Sequence, residues 1–143
     1  MHARVNLLTV AHVGSVGPEL KILDERRAAV LEPLCETIVP GSSRVGPVVY
    51  IDAVLALMPE PQREAVFAAI DTLEPMADGG ADALRPVSAT PEFQMVRALA
   101  IEAFYSDFVA PGAPGPGAYE EIDFVFPLAS RIHKDWSYLG IVG

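Results

Sequence analysis

Val48-Val-Tyr-Ile-Asp-Ala-Val-Leu-Ala-Leu-Met58 is apolar at every position except Asp52, with Gly46-Pro47 in front of it and Pro59 and Pro61 behind. A proline suits the first turn of a helix and stops one from the outside, so the run reads as a helix opened at Pro47 and closed near Met58. A helix that is apolar all round is expected to be buried all round. This segment is therefore the centre of the fold, and the other elements are what surrounds it.

Upstream, Asp24-Glu-Arg-Arg-Ala-Ala-Val-Leu31 places apolar residues at helical spacing behind acidic residues that suit a helix N-terminus. Pro33 interrupts the pattern and Pro40-Gly41 ends it, which predicts one kinked helix over 24–39. Downstream, Val66, Ala69, Ile70 and Leu73 form one stripe of a third helix that starts at Pro61 and is closed by Pro75 and Asp78-Gly-Gly80. Thr90-Pro91-Glu92 supplies a cap, a first-turn proline and an acidic residue for a last helix over 91–109. Its Phe93, Val96, Ala100, Ala103, Phe104 and Phe108 recur at helical spacing toward the same core. The predicted class is all-α, a small bundle of about four helices.

Two flanks lie outside this pattern. Residues 1–21, with Gly14, Gly17 and Pro18, read as an irregular arm before a helical domain over 22–109. Residues 110–143 read as a long irregular tail, because Ala110-Pro-Gly-Ala-Pro-Gly-Pro-Gly117 tolerates no regular element. At about 3.3 Å per residue this tail could extend on the order of 100 Å and wrap a neighbour. A short helical turn near Leu128 to Ile132 is expected within it. The tail ends on His133-Lys-Asp-Trp-Ser-Tyr-Leu-Gly-Ile-Val-Gly143, apolar almost to the last residue and holding the one tryptophan. Chain ends fray unless tied down, and each large apolar side chain left in water forgoes about 1.5–3 kcal/mol. Trp136, Tyr138, Leu139, Ile141, Phe124 and Phe126 are therefore the expected partner-binding residues. Docking of Trp136 on the chain's own helices is the competing arrangement.

The 143 residues suffice for one domain with a real core. With 51% hydrophobic and 20% charged residues and a mean hydropathy of +0.32, the chain is more apolar than a self-sufficient globule needs, which argues for a partner. No run approaches the roughly 18 apolar residues of a membrane span. Nineteen acidic against ten basic residues give a net charge of −9, which repels nucleic acid. The single cysteine, Cys35, lies in a helical run as a buried, inert thiol and allows no internal disulfide. The first ten residues do not resemble a signal peptide, and a cytoplasmic location is expected.

The chain offers little chemistry. His2, His12 and His133 are far apart and lack metal-ligand spacing. Glu120, Glu121 and Asp123 could serve acid–base work or hold a cation, though a solvated acidic loop is the commoner meaning of such a cluster. Ser42-Ser43-Arg44 suggests an anion-binding turn without the lysine and glycine spacing of a phosphate loop. Arg26-Arg27 follows an acidic pair and reads as two solvated helix charges rather than an export signal. Phe104-Tyr105 with Ser106-Asp107 could line a pocket, but aromatics at this spacing are usually core. No catalytic, cofactor-binding or metal-binding residue is assigned.

The order of three motifs carries a resemblance: the acidic helix running into Leu34-Cys-Glu-Thr-Ile-Val-Pro40, the buried Tyr50-Ile-Asp-Ala-Val-Leu55, and Arg97-Ala-Leu-Ala-Ile-Glu-Ala-Phe-Tyr-Ser-Asp107. Over roughly residues 22–143 the chain resembles the gluconate 2-dehydrogenase subunit 3 family. The resemblance implies a small helical subunit without catalytic residues of its own. It would stabilise or mature a large oxidoreductase of the glucose–methanol–choline type, whose FAD oxidises a sugar, polyol or other alcohol. It implies a hetero-oligomer in which FAD sits in the partner and no cofactor in this chain. Many family members begin with a twin-arginine signal and work in the periplasm, whereas here the helical domain follows almost at once. Two other readings stand beside it: a self-contained enzyme using Tyr105, Asp107 or the acidic cluster, and a standalone helical binding module for an apolar ligand.

Overall fold

The computed structural model describes residues 18–124 and 136–141. Among these residues the protein is all-α, with no strand. Helix α1 spans Glu25–Ile38, α2 Pro47–Leu57, α3 Glu60–Leu73, α4 Gly80–Leu84, α5 Pro91–Tyr105 and α6 Ala118–Glu121. Short 3₁₀ turns occupy Ser42–Val45, Glu74–Gly79, Arg85–Val87 and Ser137–Leu139.

Each long helix starts where local chemistry permits. Asp24 caps α1 by accepting the Arg27 amide at 2.8 Å, satisfying one of the donors a helix N-terminus leaves free. Thr90 caps α5 in the same way, accepting from the Phe93 amide. Gly46 precedes α2 at φ +67, a conformation that favours glycine, and a Cβ there would lie 2.7 Å from the Ala110 side chain. Helix α1 runs continuously through Pro33.

Helix α2 is the centre. Val48, Tyr50, Ile51, Asp52, Ala53 and Leu55 are all buried, and only its last residue, Leu57, is well exposed. Helix α5 packs against α1, α2 and α3, while α1 also packs against α2, α3 and α4. Leu31, Leu34, Ile51, Leu55, Ile70, Leu73 and Val96 are fully enclosed between them, each withdrawing enough apolar surface to contribute about 1.5–3 kcal/mol. A smaller cluster of Val39, Val45, Phe104 and Ala118 joins the end of α5 to the segment that follows.

Four differences from the sequence pattern have physical causes. Helix α5 stops at Tyr105, not Val109, because Asp107 turns to φ +63. Aspartate tolerates this left-handed conformation, which ends the helix and sends Phe108 into the core from outside it. Residues 74–87 are more than a helix closure: Pro75 begins a 3₁₀ turn, and α4 with its own turn follows, burying Ala77 and Leu84. Arg26 and Arg27 are not two free solvated charges. Both reach Asp71 on α3, Arg26 also reaches Glu74, and the Arg27 guanidinium lies 4.5 Å from the centre of the Phe67 ring. Finally, residues 110–117 are irregular but do not leave the bundle. Ala110 donates to the Val45 carbonyl and Gly115 to the Arg44 carbonyl, both at 2.8 Å, and α6 forms directly afterwards.

Candidate functional site

Asp52 is the one charged residue of α2, buried at 3% exposure. Its carboxylate accepts three successive amides of the incoming chain, Lys21 at 2.7 Å, Ile22 at 2.9 Å and Leu23 at 2.8 Å. A buried carboxylate is tolerated only when its lone pairs are filled, and here backbone dipoles fill them. The same Lys21 extends its ammonium to the Leu139 carbonyl at 2.8 Å. Asp52 thus fixes a bend in the approaching chain, whose lysine in turn holds the C-terminal segment.

That segment carries four of the six residues expected to bind a partner. Leu139 is buried at 4% exposure as part of the main core. Trp136 is half-buried, edge-on to Phe108 at 5.4 Å between ring centres, and Phe108 meets Tyr50 at 5.3 Å. The Tyr50 hydroxyl donates to the Glu102 carboxylate at 2.7 Å, and burial together with that carboxylate pushes the phenol's ionisation upward. Ile141 is half-buried against the core. Tyr138 alone points away, at 65% exposure. The structure thus seats Trp136, Leu139 and Ile141 on the chain's own helices and leaves Tyr138 presented outward.

A second surface forms where the tail crosses the end of α5. Buried Asp107 accepts the Tyr119 amide at 3.0 Å, and Gly117 passes so close that a Cβ would sit 2.6 Å from the Asp107 Oδ1. Arg44 donates to the Pro116 carbonyl at 3.0 Å, pairs with Glu121 and lies over the Phe104 ring. Beyond this strap Tyr119, Ile122 and Phe124 are 37%, 70% and 48% exposed, with Tyr119 and Phe124 edge-to-face at 5.3 Å. Phe126, His2, His12, His133 and the expected turn near residues 128–132 lie outside the described residues.

The candidate chemistry resolves into structural roles. The turn at Ser42-Ser43-Arg44 does hold an anion, but it is the chain's own: the Glu36 carboxylate accepts Gly41 N–H at 2.6 Å and Ser43 N–H at 3.0 Å. Those amides hold the Glu36 carboxyl below its ordinary range. Tyr105 and Asp107 do not form a pair, since Tyr105 is exposed against Phe104 while Asp107 is buried beneath α6. Cys35 is fully enclosed, and burial pushes its thiol up to about 12, far from a reactive thiolate. Among the described residues no group of three or more His, Cys, Asp or Glu is placed to hold a metal ion, and no helix is long and apolar enough to cross a membrane.

An opening of about 190 Å³ lies beside Lys21, Asp52 and Ile141, where the two ends of the described chain meet. Another, of about 310 Å³, lies between the end of α1, α4 and the first turns of α5. Asp52, Lys21 and the second opening carry no motif in the sequence. Asp52 could have been singled out as the lone charge in an apolar helix, whereas its partners are backbone amides with no side-chain signature. No protein-family model matches this chain, and neither does any curated protein or solved structure.

Proposed function

We propose that this chain is a non-catalytic helical subunit that binds, and stabilises or matures, a large FAD-dependent oxidoreductase of the glucose–methanol–choline type acting on a sugar, polyol or other alcohol. The flavin and the reacting groups belong to that larger protein, and the two form a hetero-oligomer. The ordered motifs in α1, α2 and α5 support the family. The observation that supports partner binding is the exposure of Ile122, at 70%, and of Tyr138, at 65%, on the segment after α6 and on the C-terminal segment. Large apolar side chains exposed on a chain this apolar are the usual anchors of an interface. Of the five described residues assigned to contact, Tyr138 is the most exposed and Phe124 is half-exposed, while Trp136, Leu139 and Ile141 pack on the helices beneath.

The test is to express the chain alone and with its genomic neighbours, purify it by a tag, and record the mass and visible absorbance of what co-elutes. A large yellow companion with flavin bands is the expected result. A colourless monomer without a companion would sink this reading in favour of a standalone binding module for an apolar ligand, which the C-terminal segment folded back on its own helices also suits.

A further inference from the structure

We propose that the opening between α1, α4 and α5 is a binding site for a small amphipathic monoanion, a ligand with an apolar body and one carboxylate or similar head. Its floor is apolar: Leu84 and Phe93 are buried at its base and Ile38 is half-buried beside them. Two arginines, Arg85 and Arg97, are among its lining residues, and no Asp or Glu is. In a chain of net charge −9 with ten basic residues, two arginines in the wall of one apolar opening, with Asp82 touching one of them only from outside that wall, is a local reversal of sign.

Neither arginine is held by a buried carboxylate of the fold. Arg26, Arg27 and Arg44 each bind carboxylates of the fold. Arg97 has no acidic partner among the described residues. Arg85 touches only Asp82, at 3.1 Å, with both side chains more than three-quarters exposed, a contact of the kind that water largely screens. Both are therefore available to donate paired N–H bonds to a planar carboxylate, the geometry that a guanidinium matches best.

Size separates this opening from the one beside Asp52. Small-molecule sites hold roughly 300–1,000 Å³. The 310 Å³ here reaches that range, whereas the 190 Å³ beside Asp52 falls short and its polar groups are already bonded to the chain. The site does not depend on a large subunit, so binding by the isolated chain tests it separately from the co-purification above.

The probe is sodium octanoate, titrated calorimetrically and by amide NMR shifts into the full chain, with 1-octanol and inorganic phosphate as comparators. Saturable one-site binding of octanoate is expected, with shifts at Ile38, Leu84, Phe93 and Arg97 and with both comparators weaker. Arg85→Gln combined with Arg97→Gln should weaken octanoate about tenfold or more, as loss of charge-assisted bonds does. Both positions are exposed, and the single R97Q gives a smaller loss in the same direction should the pair unfold the chain. Absence of saturable binding, octanol or phosphate binding as tightly, or full affinity in the folded variants would each overturn the proposal.

Discussion

Residues 119–124 and 136–141 are two aromatic pieces of one tail, and the bundle treats them oppositely. Each is held by a polar clasp from the helical domain, Asp107 to the Tyr119 amide in the first and Lys21 to the Leu139 carbonyl in the second. Yet Ile122 and Phe124 remain 70% and 48% exposed, while Leu139 is buried and Trp136 rests on Phe108. A backbone clasp therefore fixes where a segment runs without deciding which way its apolar side chains face. The first piece keeps Ile122 largely in water, and the second adds Leu139 to the core.

The comparison breaks most severely at Asp52. Asp52→Ala strands three amides, that of Leu23 buried and those of Lys21 and Ile22 partly so, and frees the approach that carries Lys21, with an expected loss of about 3 kcal/mol in urea unfolding. The 136–141 segment should loosen with it, seen as a red shift in the fluorescence of Trp136, the one tryptophan. A stability change under 1 kcal/mol would show that the Asp52 clasp is not what holds the docked piece.

Trp136→Ala comes next. A half-buried aromatic removed from Phe108 should lower the chain's own unfolding free energy by about 2 kcal/mol. The sequence pattern alone suggests a loss of that size in partner affinity instead; the structure moves the effect to the isolated chain, and measuring both separates them.

Acid should act more gently and on the strap side. Glu36, held down by the amides of Gly41 and Ser43, and Asp71, held down first by Arg27, both ionise more readily folded than unfolded. Their contribution is present above their ordinary values, about 4.5 and 3.8, and is lost as pH falls through the lower folded ones. The urea midpoint should decline on acidification, and Glu36→Gln should flatten part of that decline. An unchanged slope would detach Glu36 from it.

Smallest for stability, and sharpest for the comparison, are Phe124→Ala and Tyr138→Ala. Tyr138 is 65% exposed and Phe124 48% exposed with its ring on Tyr119, so each should change unfolding by less than Trp136 does, by about 1 kcal/mol or under. Affinity for the proposed flavoprotein should fall about tenfold or more. Loss of stability with intact affinity would reverse the assignment of exposed and docked faces.

The long helices were legible because their signals are local. Asp24, Pro47, Pro61 and Thr90 mark starts, and the apolar stripes between them repeat at 3.6 residues. What escaped was non-local or conformational. Nothing in Ser106-Asp107 announces a left-handed residue, so the stripe that includes Phe108 promised four more helical residues than form. Pro75, Gly79 and Gly80 look like an ending, but 3₁₀ turns tolerate them. Arg27 looks solvated until α3 brings Asp71 and Phe67 beside it. Of the expected contact residues, hydropathy singled out Trp136, Leu139 and Ile141 as needing cover but cannot say whether the cover is another protein or, as in the fold, the chain's own helices.

The bond from Lys21 to Leu139 joins residues 118 apart in sequence, which makes the described chain nearly a closed ring. In the unfolded chain, bringing ends that far apart together would cost about 4 kcal/mol of chain entropy; once the helices between them have folded, most of that cost is already met, and the bond acts together with Leu139 in the core and Trp136 on Phe108. Approach and tail must then order together: the ring melts at its seam, with residues 21–23 and 136–141 opening as one unit.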